Sequence, residues 1–125
     1  GCGGGRGGAA RAAEPSFRRR MGAIFDRADL VLTPTTAEPP PPVDHLRDRG
    51  YWGTSTAASA ACPFAWPWNV VGWPAISVPA GFTATGLPIG AQLVAPADGE
   101  ALLLSLAAQL EQVRRWHEQL PPEAR

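Results

Sequence analysis

The 125-residue chain balances eleven arginines against eleven carboxylates and contains no lysine, so it lacks the electrostatic footprint that a nucleic-acid or anionic-membrane partner requires. Its length admits one modest hydrophobic core and not two full domains. With two cysteines and two histidines there is no case for a disulfide framework or a metal site, and no stretch approaches the roughly 18 continuous apolar residues of a membrane span.

Taken in order, Gly1 to Ala13 holds only Gly, Cys, Arg and Ala, a composition that cannot bury enough surface to offset its chain entropy. Residues 1–15 are therefore expected to be a disordered or foreign segment, and residues 16–125 the folded portion. The first methionine is Met21, and the expectation is a piece of a longer product, or one joined to unrelated sequence upstream. The Gly-Arg start lacks the apolar stretch of a secretory signal. Together with an arginine-only, Gly/Ala/Pro-rich composition, this points to a bacterial, cytoplasmic protein.

Phe17, Met21, Ile24 and Phe25 recur at the spacing of an amphipathic helix, with Arg18, Arg19 and Arg20 on its solvated side and Pro15 and Ser16 as its start. "LVLTPT", residues 30–35, reads as a buried strand, and the tetraproline Pro39–Pro42 as a stiff surface connection. Tyr51 to Ala61 is small-residue helix, stopped by Pro63. "PFAWPWNVVGWP" then sets three tryptophans in eight residues between prolines, too dense for all to enter regular core elements, so several are expected to line a cleft or an interface.

"AISVPAGF" and "LPIGAQLV", joined by the turn "TATG", are near-continuously apolar, which favours strands covered on both faces. Asp98 is placed to cap a helix running to about Gln119, with Leu103, Leu106, Leu110 and Val113 as its stripe, a Glu111/Arg115 pair, and Pro121 and Pro122 as its stop. The element order, helix, strand, helix, two strands, helix, predicts an α/β layered fold.

No catalytic constellation emerges from these residues. "GTSTA" at 53–57 is a relative of the nucleophile elbow, but "RDRGYW" before it supplies no strand to project Ser55. Nothing in the sequence places His45 beside a nucleophile, and His117 fits a helix C-terminus. Cys62 lies in apolar surroundings and is expected to be a buried, inert thiol.

Three segments carry a resemblance. "FDRADLVLTPTTAEPPPP", "NVVGWPAISVPAGF" and "GLPIGAQLVAPADGEALLLSLAAQLE" resemble, in order and spacing, the C-terminal region of the amidase signature family. The most specific positions are Asn69, Gly72, Pro74, Ser77, Pro79, Gly81, Gly86 to Pro88, Gly90 and Gln92. The resemblance implies a large mixed sheet covered by helices on both faces, of which this chain is an incomplete part.

It also implies hydrolysis of a linear carboxamide, with no cofactor or metal, by a Lys, a bridging Ser and a nucleophilic Ser. The Ser residues of that trio belong to a Gly/Ser-rich signature that this sequence lacks, as it lacks any lysine. No catalytic residue is therefore assigned, and the chain alone is expected to be inactive. Thr33-Pro34-Thr35 and residues 64–72 are expected to approach the cleft, with Trp66 and Trp68 as its walls and a small-molecule amide as the partner; no nucleic-acid or membrane partner is expected, and the oligomeric state is left open. Two other readings stay open: a non-catalytic α/β module binding a partner through its Trp/Pro-rich surface, and a small hydrolase built on Ser55 and His45.

Overall fold

The computed structural model describes residues 14–119. Most of the Gly-rich start and the proline pair at 121–122 lie outside these residues. The first helix, α1, covers residues 14–22 and tightens into a 3-10 turn at Ala23–Asp26. Its stripe is Phe17, Met21 and Phe25, all packed against the core; Ile24 leaves the stripe because the tighter turn changes its angular phase, and it is exposed. Strand β1 is Val31–Pro34, followed after the proline segment by α2, Gly50–Ala61. A short helix, α3, spans Trp66–Val71 with proline in its first turn and ends on Gly72, whose left-handed φ of 68° suits glycine.

Strands β2, Ala75–Phe82, and β3, Pro88–Val94, follow, and then α4, Glu100–Arg114. The sheet order is β1-β3-β2, with both pairings antiparallel. Leu93 sits opposite Leu32 on one side and Ile76 on the other. The ladder slips between Pro79 and Gly81, a position where a residue without an N–H costs least.

Alternation along β3 divides the core into two layers. Leu93, with Val78 and partly buried Ile76 and Ala91, packs against Leu103, Leu106 and Leu110 of α4 and against Trp116. Its neighbour Val94 points the other way, into Trp68 and Val71 of α3, the α1 stripe, Val31 and Trp73. The sheet therefore carries helices on both faces, as its near-continuous apolar strands predicted. Arg18 adds a tie between α1 and α3: its Nη2 donates to the Val71 carbonyl at 2.7 Å, satisfying a free carbonyl at the end of α3. This arginine is thus engaged where the sequence pattern alone placed it on a solvated face.

Five local expectations are corrected. Asp98 does not cap α4; it takes φ 63°, and Gly99 is the residue before the helix, with no side-chain cap. A Cβ at Gly99 would stand 2.5 Å from the Ala95 Cβ and 2.8 Å from the Pro96 carbonyl, so the chain enters the helix through a spot only glycine fits. The helix ends at Arg114 and not near Gln119, because Arg115 turns left-handed at φ 49°. That turn aims the Arg115 guanidinium at Glu118, leaving Glu111 beside His117 at 3.6 Å, and Val113 drops off the stripe at 79% exposure. Cys62 is exposed, since it ends α2 on a helix that buries none of its residues.

Candidate functional site

The face of the sheet that packs on α1 and α3 changes character along its length. At one end Val31 and Val94 are apolar neighbours across β1 and β3; two residues on, by the period of two in a strand, the same face carries Thr33 and Gln92, with Ser77 of β2 alongside. Two further on are Thr35 and Gly90. A buried apolar layer thus grades into a row of hydroxyls and one carboxamide.

Gln92 anchors this row. It is 5% exposed, the one buried polar residue among those described. Its Nε2 donates to the Phe64 carbonyl at 2.9 Å and to Thr33 Oγ1 at 3.2 Å. The side chain therefore joins the central strand to β1 and to the loop between α2 and α3. Beyond it, Thr35 Oγ1 and Ser77 Oγ lie 2.7 Å apart, a hydrogen bond from the residue just after β1 to β2 that passes over the middle strand. Glycine makes this possible: a Cβ at position 90 would lie 2.8 Å from Thr35 Oγ1 and 3.0 Å from Ser77 Oγ.

The chain continues from this row into residues 36–41, which run between two grooves. One, of about 450 Å³, lies between the prolines Pro39–Pro41, His45 and Arg49 and the small residues Ala57, Ala58 and Ala61 of α2. The other, of about 220 Å³, lies against Pro88, Ile89 and Gly90 at the start of β3. His45 thus faces the alanine side of α2, whereas Ser55 is exposed on that helix; no hydrogen bond joins Ser55 to a histidine among the described residues.

The two tryptophans assigned to the cleft occupy different environments. Trp68 is 6% exposed, with its ring 6.2 Å from Trp73 and 6.1 Å from Phe25, inside the layer that also holds Val94. Trp66, two residues earlier, is 53% exposed and lies nearly parallel to Phe17 with centroids 6.3 Å apart. It follows closely on the loop whose Phe64 carbonyl Gln92 holds.

Chemically the row can bind and orient a neutral polar group: it offers hydroxyls held in place by a buried carboxamide, with an indole near the loop. It holds no ionisable side chain to take a proton from a nucleophile. Among the described residues no cluster of three His, Cys, Asp or Glu could hold a metal ion, and no helix is long and apolar enough to cross a membrane. In the sequence, Gln92 stands out only within a family pattern. The signal that marks it physically is a lone carboxamide inside an otherwise apolar strand, "LPIGAQLV".

Comparison with known proteins agrees with this architecture. A family model described as Amidase matches residues 8–104. AmiA2 of Mycobacterium tuberculosis and Mycobacterium bovis, named as an amidase, is 54% identical over 112 residues, covering 90% of this chain and 23% of the relative. AmiB2 of the same organisms, also named as an amidase, is 40% identical over 113 residues, 24% of its length. Among solved structures, 6-aminohexanoate cyclic dimer hydrolase superposes with a TM-score of 0.75 at 32% identity, over 93% of this chain and 25% of that one. A glutamyl-tRNA(Gln) amidotransferase chain from Thermotoga maritima gives 0.61 at 25% identity, over 74% and 19% respectively. The chain spans about a quarter of the length of these relatives.

Proposed function

This chain belongs to the amidase family, and from that membership we propose that it is the C-terminal portion of an amide hydrolase, supplying strands and one wall of the cleft and no catalytic residue. The reaction is hydrolysis of a linear carboxamide to a carboxylate and ammonia or an amine. In the family pattern, a seryl oxygen attacks the carbonyl carbon, a lysine and a second serine carry its proton to the leaving nitrogen, and water releases the acyl group. The sequence contains no lysine, so this chain cannot furnish the base of that trio. By itself it is inactive.

The observation that carries the proposal is the relation to AmiA2: 54% identity sustained over 112 residues, yet only 23% of that relative's length. The chain's own part is to bind and shape. Thr33, Thr35 and Ser77 present hydroxyls on one sheet face, and Trp66 supplies an exposed indole beside the loop that Gln92 bonds. Trp68 serves the same wall from behind, as the packed layer on which α3 rests. The protein is bacterial and cytoplasmic, and its substrate is a small-molecule amide. The test is ammonia release from a panel of primary carboxamides by the complete amidase and by the 125-residue chain. Turnover by the complete protein and none by the chain is the expected result; a complete protein that turns over no amide overturns the assignment.

A further inference from the structure

Among the described residues, Gln92 is the one buried polar side chain, and burial of a carboxamide in a strand costs stability unless its groups are bonded. An apolar residue of the same size would fill the space between β1, β2 and α3 without that cost, so the two bonds it makes are better understood as fixing geometry than as adding net stability. Both come from a single nitrogen on the central strand, which is paired on both sides. One reaches 59 positions back to Thr33 and the other 28 positions back to Phe64. These two targets sit shortly before Thr35 and Trp66.

We propose that Gln92 is a positioning residue for amide hydrolysis: it holds the loop at Phe64, and with it Trp66, at a set distance from the Thr33–Thr35 side of the substrate cleft. The inference rests on the amidase reading, in which these two segments flank the cleft. The other backbone bonds of the loop run from the Cys62 amide to the Ala58 carbonyl at 3.2 Å, from the Ala65 amide to the Cys62 carbonyl at 3.3 Å and from the Asn69 amide to the Ala65 carbonyl at 3.3 Å; just before the loop, Ala61 accepts from the Ala37 amide at 2.9 Å. The first three stay within α2, the loop and α3, and the fourth holds the end of α2, so at Phe64 itself it is the Gln92 bond that reaches the sheet. Loss of the tie therefore frees the loop before it disturbs the ladder.

The experiment uses Gln92→Met, which keeps length and removes the donor nitrogen, Gln92→Glu, which sets a carboxylate against the Phe64 carbonyl while the Thr33 hydroxyl can still donate to it, and Thr33→Val, which cuts one tie alone. Each is made in the complete amidase. Peptide-resolved hydrogen exchange is expected to quicken about tenfold across residues 62–66 in Gln92→Met, more in Gln92→Glu and less in Thr33→Val, with β2 and β3 unchanged. Kinetically, KM is expected to rise about tenfold in Gln92→Met for substrates that reach Trp66, with kcat within about twofold and small amides little affected. Uniform loss of protection over the whole sheet, or failure of Gln92→Met to fold while Thr33→Val behaves as wild type, overturns the proposal by making Gln92 a general folding residue. Faster loop exchange with unchanged KM for every substrate overturns it too. A wild-type amidase without activity overturns the amidase reading and the substrate role with it, while the exchange measurement still reports the tether.

Discussion

Truncating Trp66 and Trp68 in turn separates a wall residue from a core residue. Trp68 has all but 6% of its surface covered and is ringed by Phe25 and Trp73, so Trp68→Ala falls in the range of buried aromatic truncations, about 3–5 kcal/mol. Trp66 is 53% exposed, so roughly half as much area returns to water and the cost scales to about 1.5–2.5 kcal/mol, including its stack on Phe17. In urea these differ by about 1 M in unfolding midpoint at the usual slopes. Circular dichroism is the suitable probe, because the chain has five tryptophans and each variant removes part of the fluorescence signal.

Substrate preference should move the other way. In the complete amidase, Trp66→Ala is expected to shift the ratio of kcat/KM between bulky and small amides by about tenfold, the scale of one lost apolar contact in a pocket. Trp68→Ala should leave that ratio nearly unchanged in whatever protein remains folded. Equal midpoint losses for the two variants, with preference unaltered in both, would refute the division drawn between them.

Three further outcomes are expected. Gly90→Ala should cost about 1–3 kcal/mol through overpacking against Thr35 and Ser77, read as a lower urea midpoint, with much of the loss relieved in a Thr35→Ala/Ser77→Ala background; equal cost in both backgrounds contradicts the contact. In a Cys2→Ser chain, Cys62 should react with a thiol reagent in the native protein within about tenfold of its unfolded rate, since it is exposed; strong protection contradicts that placement. The 125-residue chain should bind a hydrophobic dye, because Leu32, Trp52, Leu104 and Val113 all lie exposed; a monomer that melts cooperatively without dye binding contradicts this.

Much of the fold was legible because side-chain periodicity and backbone breakers act locally. The apolar runs at 75–82 and 87–94 became paired strands, Pro63 and Gly72 ended helices, and the turn at 83–86 formed where threonine and glycine supply its bonds. The failures share a physical cause: in each, the backbone path overrides what the side chain's chemistry and spacing suggest. Asp98 has the chemistry of a cap, but the crowding of Ala95 and Pro96 around Gly99 sets the helix entry. Glu111 and Arg115 have the right spacing for a pair, yet the left-handed turn at Arg115 redirects the guanidinium.

The site shows the same division. Clustered tryptophans indicated an aromatic surface, but only three-dimensional packing distinguishes exposed Trp66 from enclosed Trp68. The Thr35 to Ser77 bond spans 42 positions and depends on a missing side chain at Gly90. No local pattern encodes such a meeting.

Under the proposed function, this chain shapes an amidase cleft without carrying its chemistry. The most direct test is steady-state ammonia release by the purified 125-residue chain, measured beside the complete amidase on the same carboxamides. Turnover by the complete protein is expected, with a rate for the chain indistinguishable from buffer; sustained hydrolysis by the chain alone, abolished by substituting one of its own residues, would contradict it.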